Sequence, residues 1–129
     1  MSVQDEVACI HPADREVADP TPGKLREQAI AVPGLWAGFV RTEPGVASGW
    51  HHHGDQDTVV YVIEGTVRIE FGPGGAQGAD AGPGDFVHIP KHVVHREVNP
   101  GPTASQEVVA RSGAGPLTIN VDGPEPVSG

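Results

Sequence analysis

The stretch TVVYVIEGTVRIEF, residues 58–71, decides the fold class of this chain. Its first six residues are β-branched or aromatic, which is the composition that strands favour. From Val67 to Phe71 the residues alternate between apolar and polar, so one face of this segment is buried and the other is wet. A tight turn at Glu64-Gly65 separates the two segments. The stretch therefore predicts two strands joined as a β-hairpin.

Short strand patterns continue on both sides of this stretch, separated by turn signals rich in glycine and proline. The further predicted strands cover residues 35–41, 85–89, 93–98, 106–111 and 117–121. The chain contains 18 Gly and 13 Pro, which long helices tolerate poorly. At least seven short strands without a convincing helix predict an all-β fold, a sandwich or a small barrel. The interior or mouth of such a barrel can hold one ligand.

The 129 residues have the length of one domain, so we predict a single domain over residues 1–129. Prolines interrupt the polar residues 1–34, which predicts an irregular N-terminal arm with room for one strand. The barrel core is expected over about 35–121 and a frayed tail over 122–129. Residues 72–84 are rich in Gly, Pro and Ala and predict a surface loop.

The composition excludes several classes of partner. Eight Lys and Arg against 17 Asp and Glu give a net charge of −9, which repels phosphate backbones and acidic membrane surfaces. We therefore expect neither nucleic acid nor a membrane as partner. No apolar run approaches the length of a membrane span, and residues 1–6 do not resemble a signal peptide, so a cytoplasmic location is expected. The single cysteine, Cys9, rules out an internal disulfide framework.

Three of the seven histidines stand consecutively, at positions 51 to 53. On a strand, His51 and His53 project from one face and His52 from the other. Two imidazoles one pleat apart can bind one metal ion, and a third ligand must come from elsewhere. His95 is the best candidate, because an unpaired imidazole is costly to bury in its apolar surroundings. Taken alone, the cluster is as typical of a solvated loop or an adventitious metal binder as of a functional metal site.

Two groups of residues have a distinctive spacing. They are Gly45, His51, His53 and Gly65, and then Gly84, Pro90, His95 and Asn99. Their spacing resembles the two sequence motifs of the cupin superfamily. The resemblance implies a cupin jelly-roll β-barrel with His51, His53 and His95 as ligands of one divalent metal ion. It says less about function, because this superfamily hosts many reactions.

The chain departs from the motifs at two positions. The glutamate of the first motif falls on Thr58, whose neutral hydroxyl is a poor metal ligand. In order of preference, the fourth ligand is then not a protein group, or it is Asp57, or it is Gln56. The second departure is His92, which replaces a motif glycine and is expected at the surface or the pocket rim.

Four other residues near these motifs carry expectations. His88 and Tyr61 are the pocket candidates for a catalytic role, although we expect His88 to be a satisfied core histidine and Tyr61 to serve in packing. Arg96 and Glu97 follow His95 directly, and both are expected to lie off its face.

A site made only of imidazoles suits Fe, Zn, Cu or Ni and leaves the ion a strong Lewis acid. We expect iron first, with Zn, Mn or Ni as alternatives, no organic cofactor, and a small substrate that is anionic or enolisable. The resemblance implies a metal-dependent enzyme similar to the three-His iron dioxygenases. The alternatives are a redox-neutral lyase, isomerase or polyketide cyclase, and a non-catalytic module that binds a small ligand. Small cupins commonly pair, so a homodimer is expected.

Overall fold

A computed structural model describes residues 6–113 and 118–127 of the chain. Within these residues the structure contains eleven strands, a short 3-10 helix at Pro12–Asp14, and no helix long and apolar enough to cross a membrane. The strands are β1 (Glu16–Val17), β2 (Lys24–Val32), β3 (Gly34–Thr42), β4 (His51–His52), β5 (Thr58–Glu64), β6 (Val67–Phe71), β7 (Gln77–Ala81), β8 (Phe86–Ile89), β9 (His95–Val98), β10 (Ser105–Gly113) and β11 (Ile119–Asn120).

The strands form two antiparallel sheets that face each other as in a jelly roll. One has the order β1-β2-β3-β10-β5-β8 and the other β11-β4-β9-β6-β7. Both sheets contribute to the apolar core, which consists of Trp36, Val40, Val60, Val62, Val67, Ile69, Ala81, Ile89 and Val109. The predicted all-β class is thus confirmed, as two sheets rather than one closed barrel among the described strands.

The two strands predicted from residues 58–71 are present, but the predicted hairpin is wrong. β5 pairs with β10 and β8 in one sheet, whereas β6 pairs with β7 and β9 in the other. The chain changes sheets at Gly65, whose φ of +79° suits glycine. A Cβ there would approach the carbonyl oxygen of Ala104 to 2.8 Å. Alternation shows which face of a strand is buried, but not which strand lies beside it.

Within the arm predicted for residues 1–34, the described residues contain two strands, β1 and β2, where the prediction left room for one. β2 is a regular nine-residue strand that pairs with β3. The first inward residue of β2 is the buried Lys24. Because a charged residue occupies the buried face, the sequence of β2 lacks the alternation of apolar and polar residues that indicates a strand. Within the predicted surface loop, β7 pairs along β6. The predicted strand at 117–121 is represented by β11, and its first residue lies outside the described part of the chain.

Candidate metal centre

Three buried histidines meet between the two sheets. His51 opens β4 and lies directly opposite His95, which opens β9, and His53 follows β4. The ring centroids are separated by 4.4 Å for His51 and His95, 5.0 Å for His51 and His53, and 5.1 Å for His53 and His95. One nitrogen from each ring lies within 4.8 Å of the others. The three residues predicted as metal ligands are therefore brought together in one group.

Backbone carbonyls orient two of these rings. Nδ1 of His51 donates a hydrogen bond to the Gly49 carbonyl oxygen at 2.8 Å, and Nδ1 of His95 donates to the Val93 carbonyl oxygen at 2.9 Å. Because a carbonyl oxygen only accepts, both rings carry their proton on Nδ1 and the lone pair on Nε2. Hydrogen bonds of this kind hold the imidazoles of metal sites in the coordinating tautomer.

Burial keeps the same two rings neutral. It lowers the pKa of His51 to about 4, and the neighbouring His95 acts in the same direction. Burial also lowers the pKa of His95. Neutral imidazoles have the free lone pair that a divalent ion requires. The chemistry of this donor group therefore fits the expected metal ion.

No carboxylate joins the three histidines among the described residues. Asp57 is not in place to serve as the fourth ligand, since its carboxylate is part-exposed and lies 2.9 Å from Nε2 of His88. Gln56 is buried. Thr58, at the position of the motif glutamate, is fully buried, and its Oγ1 has no hydrogen-bond partner in the described chain. At this buried position the chain therefore has a hydroxyl group where the motif has a carboxylate.

The two pocket candidates do not lie in the interior. The expected core position of His88 is wrong, because its side chain is 60% exposed and pairs with Asp57 on the surface. Tyr61 projects from the opposite face of β5 to Val60 and Val62 and packs against Phe86 at 4.8 Å. His92 is exposed, as expected, and its Nε2 lies 2.7 Å from a carboxylate oxygen of Asp55.

A buried ion pair between Lys24 and Glu97 lies close to the histidines. The expectation that Glu97 lies off the face of His95 is wrong, since two residues on a strand separate side chains of the same face. Burial alone would raise the pKa of Glu97, but the ammonium group of Lys24 holds it well below its usual range. Lys24, the first residue of β2, was not identified from the sequence.

Two inward residues of β10 were also missed, Glu107 and Arg111. The strand alternates between buried and less buried residues, with Ser105, Glu107, Val109 and Arg111 buried. The alternation was visible in the sequence, but it did not reveal which parity faces inward, because charged residues occupy the buried face. Glu107 lies near Lys24 and Glu97, and its Oε1 is buried without a hydrogen-bond partner in the described chain.

We expect Glu107→Gln to remove a pH dependence from the stability of the fold. Burial raises the pKa of Glu107 from 4.5 to about 7, with Ser105 and Lys24 opposing and Glu97 reinforcing the shift. Between these pH values the folded chain binds one more proton than the unfolded chain, so stability falls as pH rises. The loss should reach about 3 kcal/mol by pH 8. Urea unfolding from pH 4.5 to 8 measures it.

In this experiment the wild-type and Glu107→Gln curves should diverge as pH rises, with the variant the more stable at pH 8. Glu64→Gln, at an exposed position, is the control and should follow the wild type. Parallel curves for wild type and Glu107→Gln would show that Glu107 ionises normally in the folded protein.

A cavity beside the histidines gives access to this region. It has a volume of about 390 Å³ and is bordered by His51. Arg26, Ser48 and Asn120 contribute polar groups to its wall. This volume is within the range of sites that bind small molecules.

Comparisons with known proteins agree with this architecture. The family model described as "Cupin domain" matches residues 38–110. KdgF from a Halomonas species is 24% identical over 85% of this chain and 96% of its own, with a TM-score of 0.71. An RmlC-like cupin from Shewanella frigidimarina is 25% identical over 81% of this chain and 88% of its own, with a TM-score of 0.65.

A third similar structure is the polyketide cyclase RemF from Streptomyces resistomycificus. It is 19% identical over 91% of this chain and 87% of its own, with a TM-score of 0.74. No curated protein matches the chain. At these identities the structural similarity describes the fold, and the activity must be argued from the site itself.

Proposed function

The chain belongs to the cupin family, and from this we propose that it is a mononuclear metal-dependent enzyme of small-molecule metabolism. The observation that carries the proposal is the group of three buried histidines, His51, His53 and His95. Two of them are neutral and hold their Nε2 lone pairs ready through backbone hydrogen bonds. Orienting ligands before the ion arrives is the usual property of a metal site.

In such a site, different residues of the chain would bind the ion, orient its ligands and border the substrate cavity. The three imidazoles would hold a divalent ion, which when bound supplies a Lewis acid with open positions for small ligands. Gly49 and Val93 fix the ring orientation through their carbonyl oxygens. The cavity beside His51 admits a small substrate, and the absence of a carboxylate from the described group leaves the ion's charge uncompensated.

Within this class we propose dioxygenase-type chemistry with iron. The three-His donor group without a carboxylate supports it, because it is similar to that of the three-His iron dioxygenases. Imidazole ligands suit iron, and an uncharged donor group favours an anionic substrate. Oxidation of a small enolisable or anionic molecule is therefore the activity that this site supports best.

A redox-neutral reaction with Zn, Mn or Ni is the second candidate. It is favoured by the similarity in fold to a polyketide cyclase over 91% of this chain. In this case the site would polarise a carbonyl or enolate without changing its oxidation state. The described interior offers Glu107 as a carboxyl that ionises near neutral pH.

Metal content of the untagged protein is the first test. We expect about one ion per chain in the wild type, and its loss in His51→Ala/His95→Ala, because two of three ligands are removed. Mass spectrometry of the metal and oxygen uptake with small carbonyl acids and thiols check the proposal. Iron with oxygen uptake supports the dioxygenase, and Zn, Mn or Ni without it supports the redox-neutral enzyme. A wild type without metal, or one with iron but no oxygen uptake, would leave a binding module.

A further inference from the structure

Arg111 is a buried cation in the same interior as the three histidines. It lies on β10, with Trp36 on β3 and Thr58 on β5 as its cross-strand neighbours. The residue is only 7% exposed, and its guanidinium carbon lies 4.8 Å from the centre of the Trp36 ring. The indole thus packs on one face of the guanidinium and restricts the direction in which its N–H groups point.

No carboxylate forms an ion pair with this guanidinium in the described part of the chain; Glu97 and Asp19 attract it only from a longer distance. Its Nε is buried without a hydrogen-bond acceptor. The other five arginines each contact a carboxylate or hydroxyl oxygen, in the pairs Arg15–Glu27, Arg26–Thr21, Arg41–Glu43, Arg68–Asp80 and Arg96–Glu70. A buried charge without a partner destabilises a fold strongly, so a position that retains one calls for a ligand.

The position of Arg111 points to the metal centre. Its cross-strand neighbour Thr58 occupies the position of the metal-binding glutamate in the first motif, so the side chain of Arg111 lies beside that position in the same interior. Thr58 is directly opposite Arg111 in the register of β5 and β10, and its buried Oγ1 also has no hydrogen-bond partner among the described residues. An N–H donor and a hydroxyl, both buried and both unsatisfied, therefore lie on neighbouring strands beside the histidines.

We propose that Arg111, with Thr58, binds a carboxylate group of the substrate. The planar guanidinium presents parallel N–H donors that match the two oxygens of a carboxylate, and the threonine hydroxyl can donate to the same group. The inference rests on the proposed function and narrows it to small carboxylic acids. It makes Arg111 a specificity-determining residue: the neutral amide of the same acid lacks the charge that a buried guanidinium requires.

Acetate and acetamide are the probes, because they have nearly the same shape and differ in charge. Arginine side-chain NMR of the metal-free wild type reports directly on Nε–H, and the resonance of Arg111 is assigned by its disappearance in Arg111→Lys. We expect acetate to shift this resonance and acetamide at equal concentration to leave it unchanged. The acetate affinity should fall about 10- to 100-fold in Arg111→Gln, as for the loss of a charge-assisted hydrogen bond.

Arg41→Gln is the matched control, since Arg41 is exposed and pairs with Glu43; its acetate affinity should equal that of the wild type. An unshifted Arg111 resonance, or equal acetate affinity in Arg111→Gln, would overturn the inference. If the protein takes up no metal but the Arg111 resonance shifts with acetate, the carboxylate site is supported and the proposed metal-dependent function is refuted. If the protein takes up metal but acetate does not shift the Arg111 resonance, the proposed function stands and the carboxylate site is refuted. The titration itself uses only the wild type, and Arg111→Lys is needed only to assign the resonance.

Discussion

Replacing Lys24 with methionine is expected to lower the free energy of unfolding by about 3 to 5 kcal/mol, as measured by urea denaturation at pH 7. The Lys24 side chain is 1% exposed and pairs with Glu97, whose side chain is 13% exposed. Methionine replaces most of the aliphatic stem but not the ammonium group. Glu97 would remain a buried carboxylate without its main partner, and Glu107 beside it would lose the same cation.

Two further variants separate the effect of burial from the effect of a lost ion pair. Arg41→Met removes the cation of an exposed pair, with Arg41 43% and Glu43 47% exposed, and should change stability by less than about 1 kcal/mol. Lys24→Met/Glu97→Gln leaves no charge behind and should be less destabilised than Lys24→Met alone. If Lys24→Met and Arg41→Met have equal effects, the buried pair does not stabilise the fold.

The parts of the fold that could be predicted from the sequence depend on local patterns. The β-branched run after residue 57 forms β5 because such side chains suit a pleated, buried surface. His51 and His53 project into the interior because their spacing matches the two-residue period of a strand. His95 was identified from its apolar neighbours and from the second motif spacing, and the structure places it directly opposite His51.

The parts that could not be predicted depend on partners distant in sequence. Lys24 is acceptable in the interior only because Glu97 lies beside it, 73 residues away along the chain. Without knowledge of that pair, a segment with buried Lys24 does not resemble a strand. The pairing of β5 with β10 rather than β6 is likewise invisible to a pattern that reports only which face is buried.

The buried ion pair also connects stability to the proposed site. Lys24 belongs to one sheet, whereas Glu97 lies on β9 of the other sheet, two residues after His95. The pair therefore joins the two sheets at the strand that carries a predicted metal ligand. Positions that stabilise the fold and positions that hold the metal are neighbours on one strand, so variants at Glu97 are expected to affect both properties.

Zinc at a thousandfold excess over its dissociation constant is expected to raise the free energy of unfolding of the metal-free protein by about 4 kcal/mol. In the unfolded chain the histidines at 51–53 are neighbours only of one another. Folding brings His95 beside them and orients the rings of His51 and His95 through backbone hydrogen bonds. His51→Ala/His95→Ala should gain little at the same zinc concentration, and each protein is compared with its own metal-free form so that any loss of packing cancels. His88→Ala/His92→Ala, which removes two exposed histidines, should respond like the wild type. Equal stabilisation of all three proteins would mean that zinc binds outside the buried group, since only the first variant removes ligands from it.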